Sequence, residues 1–161
     1  MKINLVYSAL CLLLISLIPQ SSQACTTFCL DKGDQLIIGY NFDWMADDGL
    51  VIVNKRNVAK TALHNPHFIR EQSPSWTSQY GSVTFNQVGQ GFPFCGINET
   101  GLAITLMMLV ETEYPRPDNR PSTDGSQWMQ YQLDNFSKAD QVIASDSQLR
   151  IANPQGATRT H

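Results

Sequence analysis

Chemistry in this chain concentrates at Cys25. The residues before it run from Lys2 through an apolar stretch, Leu5 to Ile18, broken only by Tyr7, Ser8, Cys11 and Ser16. Pro19 and Gln20 end the stretch, and the small residues Ser22 and Ala24 stand three and one residues before Cys25. This is the layout of a secretory signal peptide over residues 1–24. The apolar run is shorter than the ~20 residues a spanning helix needs. A cut after Ala24 makes Cys25 the first residue, with its thiol and a free α-amine on one residue. A thiolate is a strong nucleophile. An α-amine, with a pKa of ~7.7–8.0, can take up the thiol proton and later return it. An internal cysteine would need a neighbouring histidine for that work. Three readings of Cys25 stand side by side: an N-terminal nucleophile, a lipoprotein acylated at this thiol, and a cysteine that merely follows the cut and pairs with Cys29 or Cys95. The lipoprotein reading wants an aliphatic residue where Ser22 stands.

The elements that must position Cys25 follow from residue pattern. Thr26 to Leu30 is β-branched, aromatic or apolar and predicts a strand, Asp31-Lys32-Gly33-Asp34 a turn, and Gln35 to Phe42 a second strand, giving a hairpin over residues 25–44. Asp47-Asp48-Gly49 turns the chain into a strand over Leu50 to Asn54. Lys55 to Lys60 reads as a solvated basic stretch, and residues 64–79 as a long loop. Strands are expected over Tyr80 to Phe85 and Phe92 to Ile97, then a turn at Asn98-Glu99-Thr100-Gly101. The apolar run Leu102 to Val110 predicts a strand buried on both faces. A Pro-rich loop over residues 111–124 leads to a helix from Gly125 to Phe136, with Trp128 and Tyr131 on its apolar face. Ser137 and Asp140 form an acidic variant of the capping box before a short helix, Ala139 to Ala144. Gln148 to Ile151 begins a further strand, and Ala152 to His161 reads as an unstructured tail. Strands first and helices after predict an α+β fold, with helices on one face of a mainly antiparallel sheet.

Composition narrows the function classes. The chain has 161 residues, 42% of them hydrophobic, and a formal charge of -3. That length suits one domain, and that charge does not suit a nucleic-acid partner. Four cysteines are too few and too irregularly spaced for a disulfide scaffold. Along a strand, Cys25 and Cys29 would have Cα atoms about 13 Å apart, too far for a disulfide, so Cys29 reads as a buried apolar side chain. No Cys or His pair completes zinc spacing, and His64, His67 and His161 read as surface residues; no metal or cofactor is expected. Asn98-Glu99-Thr100 and Asn135-Phe136-Ser137 match the glycosylation sequon, which often arises by chance.

Three motifs in order carry a resemblance: Cys25-Thr26-Thr27, then Gly39-Tyr40-Asn41-Phe42-Asp43-Trp44, then Asn98-Glu99-Thr100-Gly101-Leu102-Ala103. Together they resemble the choloylglycine hydrolase and penicillin V acylase family of N-terminal nucleophile hydrolases. The resemblance implies αββα layers, with residues 25–151 as the N-terminal part of an amidohydrolase domain. It also implies hydrolysis of a linear amide in a small N-acyl substrate, without a cofactor, in the periplasm or outside the cell. Cys25 would be the nucleophile and Asp43 the carboxylate that orients its amine, with Tyr40, Trp44 and Met108 as substrate-binding candidates. The chain departs from the family pattern at Tyr40, where many members carry Arg and some Lys, and at Met108, where members carry an Asn or Tyr near the oxyanion. Met108 reads instead as core or pocket wall. Family members continue past this length, and residues 152–161 do not read like the strand expected there, so a truncated or frame-shifted copy is the expectation. The alternatives are an inactive remnant that binds an acyl ligand, and a small lipoprotein acylated at Cys25. No stable membrane anchor is expected after signal cleavage, and a homo-oligomer is left open.

Overall fold

The computed structural model describes residues 25–43, 48–63, 73–87, 89–109 and 112–152. The signal segment, Trp44, His64, His67 and the tail from residue 153 lie outside the described residues. The expected hairpin is present, as β1 (Thr26–Asp31) and β2 (Leu36–Asn41), antiparallel in the register Thr26↔Asn41 to Asp31↔Leu36. Gly33 makes the turn at a φ of 84°, where a side chain would be strained. Its N–H donates to the Asp31 carboxylate over 2.8 Å. Across the strands, the Phe28 ring occupies the space a Cβ of Gly39 would fill.

A four-stranded antiparallel sheet follows. Its first strand is β3 (Leu50–Asn54). The chain then leaves for a small hairpin, β4 (Ala59–Thr61) with β5 (Ser75–Thr77). It returns as β6 (Ser82–Asn86), β7 (Pro93–Asn98) and β8 (Ala103–Thr105), in the spatial order β3-β6-β7-β8. Pairing aligns Ile52, Thr84, Gly96 and Ile104 in one row across the sheet, and Val51, Phe85, Cys95 and Thr105 in the next. Side chains alternate between faces along a strand, so the first row faces one way and the second the other.

Helix α1 (Gly125–Asn135) covers the first face. Asp124 caps it, accepting from the Ser126 and Gln127 N–H groups; this satisfies donors that a helix N-terminus leaves free. Met129 and Leu133, both fully buried, form the core with Leu102, against Ile104, Leu106, Phe136 and Val142. Asn98 ties the sheet to the far end of α1. Its amide donates to the Leu133 carbonyl over 2.9 Å and to the Phe136 carbonyl over 2.7 Å. Its carbonyl oxygen accepts from the Thr100 and Leu102 N–H groups. A short helix α2 (Ala139–Ala144), a 3-10 turn (Ser145–Ser147) and a parallel pair of β9 (Ser122–Thr123) with β10 (Arg150–Ile151) complete the chain's described part.

Asp134 of α1 is a buried charge with several partners. It is 0% exposed. Its carboxylate accepts from the Lys60 ammonium at 2.8 Å, the Trp76 indole N–H at 2.6 Å and the Gln130 amide at 2.9 Å. Its backbone carbonyl accepts from the Gln79 and Tyr80 N–H groups. One residue thus locks α1 to the β4–β5 hairpin.

Several expectations are corrected. Lys60 lies in β4 and reaches Asp134, so the stretch over residues 55–60 is not merely solvated. The loops expected over 64–79 and 111–124 contain β5 and β9, two- and three-residue strands too short to leave a pattern. The run from Leu102 yields only the three residues of β8, and Met107, Met108 and Leu109 are exposed. Among the described residues β8 has a strand partner on one side only, and α1 covers one of its faces, so the run is not buried on both. Cys29 is exposed, not buried: among the described residues β1 pairs only with β2, in a two-stranded sheet of their own. In α1 the buried residues include Gln127, Gln130 and Gln132, while Trp128 and Tyr131 are half-buried. The α2 cap is made by Gln141, whose side-chain oxygen accepts from the Ser137 and Lys138 N–H groups, and not by Asp140. Asn98, 4% exposed, is too buried to be a glycosylation acceptor.

Replacing Asp134 with Ala would strand the Lys60 ammonium and two further donors. Breaking a buried pair of this kind costs about 3–5 kcal/mol. Urea unfolding of the full chain, followed by Trp fluorescence, is expected to show a loss of that size. A loss under about 1 kcal/mol, the scale of a surface pair, would contradict this account.

Candidate functional site

The face of the sheet opposite α1 is open, and Val51, Val53, Phe85 and Ile97 on it are exposed. Over part of it lies the β1–β2 hairpin. Between them is a cleft of about 840 Å³, lined from the hairpin by Leu36, Ile38, Tyr40 and Phe42, and from the sheet by Phe85, Cys95, Ile97 and Thr105 among others. A volume of this size suits a small-molecule ligand. Its wall is mainly apolar, with Asp48, Asn86 and Gln87 as polar groups at the β3 and β6 end.

The pairing register sets Cys25 and Asp43 beside Tyr40 and Phe42, which line one end of this cleft, although neither Cys25 nor Asp43 is itself in its wall. Thr27 pairs with Tyr40. By alternation Cys25 shares the hairpin face of Thr27 and Tyr40. Continuing one step past Thr26↔Asn41, Cys25 stands opposite Phe42, with Asp43 one residue further on. Cys25, Phe42 and Asp43 are half-buried. Aromatic stacking fixes this end of the hairpin to the sheet: the Phe42 ring lies 4.4 Å from the Phe94 ring and 6.0 Å from the Tyr40 ring. The Tyr40 hydroxyl donates to the Leu106 carbonyl over 2.8 Å. Leu106 itself continues the ladder from β8, donating its N–H to the Phe94 carbonyl.

Burial pushes the Tyr40 phenol far above its ordinary range, and the negative charges that Cys25 and Cys95 would carry add to the effect. Tyr40 is therefore an O–H donor across the working pH range. Burial likewise raises the Cys95 thiol. Cys25, Cys29 and Cys95 are all free thiols.

Of the residues singled out in the sequence, the fold brings Cys25, Tyr40 and Asp43 to one end of the hairpin. Trp44 lies outside the described residues. Met108 is not core and does not line the cleft; it is 70% exposed beyond the end of β8. Sequence reasoning missed Phe94, Cys95 and Leu106. Their pairing with a hairpin more than fifty residues earlier leaves no local pattern, although the expected strand over Phe92 to Ile97 contains two of them.

Comparison with known proteins gives consistent results. The chain is 33% identical to the penicillin V acylase of Pectobacterium atrosepticum in an alignment of 156 positions that covers 89% of this chain and 40% of that enzyme. Its fold matches the structure of a penicillin V acylase from Agrobacterium tumefaciens with a TM-score of 0.64, at 26% identity, over 82% of this chain and 41% of that one. It also matches a variant of the conjugated bile acid hydrolase from Clostridium perfringens with a TM-score of 0.59, at 20% identity, over 80% of this chain and 39% of that one. No protein-family model matches the chain. The resemblance read from the three motifs thus holds in sequence and in fold, and the α+β, mainly antiparallel architecture is that of these hydrolases. The chain spans about 40% of the length of its relative from Pectobacterium, in the N-terminal part.

The raised Cys95 pKa gives a direct check on the cleft. Burial disfavours the thiolate, so Cys95 stays neutral at pH values where an ordinary thiol, with a pKa of about 8.5, begins to ionise. Alkylation of the folded chain at pH 8 is expected to modify exposed Cys29 well before Cys95, with Cys95 catching up at higher pH. Equal rates at pH 8 would contradict the packing described.

Proposed function

We propose, from this chain's likeness to penicillin V acylase and conjugated bile acid hydrolase, that residues 25–151 are the nucleophile-bearing part of an enzyme that hydrolyses linear N-acyl amides. The observation that carries the reading is the hairpin register, which gathers Cys25, Tyr40 and Asp43 at the end of an apolar cleft. Removal of residues 1–24 on export, to the periplasm or beyond the cell, frees the Cys25 amine. That amine takes the thiol proton, and the thiolate attacks the amide carbon. The acyl–sulfur bond forms, and the C–N bond breaks as the ammonium returns its proton to the leaving amine. Water, deprotonated by the same amine, then attacks the thioester and releases the acid, restoring the thiol. Asp43, one residue past the position opposite Cys25, orients the amine by accepting its hydrogen bond. The apolar wall takes the acyl group. The Met108 side chain has no N–H or O–H to donate and does not line the cleft, so other groups stabilise the tetrahedral oxyanion.

A second reading is favoured by one observation. Tyr40 beside Cys25 is a neutral phenol and supplies no cation to hold a thiolate. On this reading the cleft binds an acyl ligand without turning it over.

Release of amine from N-acyl substrates, phenoxyacetyl and bile-acid amides included, separates the two. The processed wild-type chain is expected to release amine, Cys25→Ala to release none, and Asp43→Asn to lose about 10²-fold or more in kcat, the scale of a general base's contribution. Binding without amine release from the folded, processed chain would overturn the hydrolase reading in favour of the second.

A further inference from the structure

Two sheets meet at the site, joined at the end that carries Cys25 by ring and hydrogen-bond contacts. Among the described residues, β1 and β2 form no backbone ladder with the four-stranded sheet. At that end stand the Phe42–Phe94 stack and the Tyr40 hydroxyl on the Leu106 carbonyl, a contact spanning 66 residues of sequence. The two are coupled, because Tyr40 stacks on Phe42, and Leu106 bonds back to the Phe94 backbone. Tyr40, Phe42, Phe94 and Leu106 therefore form a closed loop of contacts: ring on ring, ring on ring, backbone on backbone, hydroxyl on carbonyl. The hydroxyl is the one directional link in it between hairpin and sheet.

We infer that Tyr40 is a positioning residue, whose hydroxyl latches the Cys25-bearing hairpin onto the Leu106 carbonyl and so holds the thiol in register with the cleft. The inference rests on the hydrolase reading only for its kinetic consequence; the latch itself is a property of the fold. Tyr40 stands where many family members carry a cation. A cation would act on the thiolate by charge. Tyr40, kept protonated by burial, acts instead through the backbone of β2 and its partner β1. Half-burial of Cys25 at the open end of the hairpin, away from its turn, is what such a latch produces.

Tyr40→Phe removes the hydroxyl and keeps the ring, so the stack on Phe42 survives. A neutral hydrogen bond of this kind is worth up to about tenfold in an opening equilibrium. Hydrogen exchange of the full chain is expected to speed up by up to about tenfold in β1 and β2 while β6, β7 and α1 keep their wild-type protection. Alkylation of Cys25 is expected to rise in proportion, with exposed Cys29 as the internal reference. In the amide assay kcat falls while KM holds within about twofold, because an unlatched thiol is misplaced without loss of the acyl wall. Exchange and Cys25 labelling that stay at wild-type rates would overturn the latch. So would exchange that rises equally in every element, which would make Tyr40 a support of the whole fold. A wild-type chain that releases no amine would defeat the hydrolase reading alone, because exchange and labelling still decide the latch.

Discussion

A Cβ on Gly96 would lie 2.8 Å from the Thr84 methyl, 2.9 Å from Leu133 Cδ1 and 2.9 Å from the Val83 carbonyl oxygen. That contact is the constraint from which the rest of the arrangement follows. Because β7 carries no side chain there, α1 can lie directly on the sheet and seat Leu133 and Met129 against Leu102. Asn98, two residues on and on the same face, then captures the carbonyls at the end of the helix. With α1 fixed on one face, every side chain of the alternate row must face the other way. Phe85, Cys95 and Ile97 thereby become the floor of a cleft and not part of the helical core.

The two faces are held by different physics. The α1 face is rich in satisfied polar contacts. Asp134 gathers Lys60, Trp76 and Gln130, and Asn98 joins turn, strand and helix. Buried groups of this kind are costly when unpaired and specify one packing when paired. The open face is mainly apolar, with aromatic rings and aliphatic side chains. The Tyr40 hydroxyl makes a hydrogen bond across it, at the end where Cys25 stands. A rigid scaffold on one side and a lightly attached hairpin on the other suits a site that must admit a ligand between them.

Much of this was legible in the residue pattern, and the reason differs by element. The Asp31–Asp34 turn, the third strand, Leu50–Asn54, and both helices follow from turn chemistry and local periodicity, so they fall where expected. The gathering of Cys25 and Asp43 also follows, since a hairpin with a known turn fixes which residues face each other. The run from Leu102 misled because an apolar sequence reports what a strand could bury, not what lies beside it. Met108, which reads as core or pocket wall, is exposed. Asp134, Asn98 and the Tyr40–Leu106 bond were invisible, because each joins residues 35 to 74 positions apart through one side chain.

The central claim is that Cys25 becomes a first residue and then carries the acyl group. Intact mass spectrometry of the exported chain, before and after mixing with an N-acyl amide, tests both halves. The account predicts a mass that begins at Cys25 with a free amine, and then a transient adduct of one acyl group on Cys25 that is absent from Cys25→Ala. A chain retaining residues 1–24, a diacylglyceryl group on Cys25, or an acyl adduct confined to Cys29 or Cys95 would contradict it.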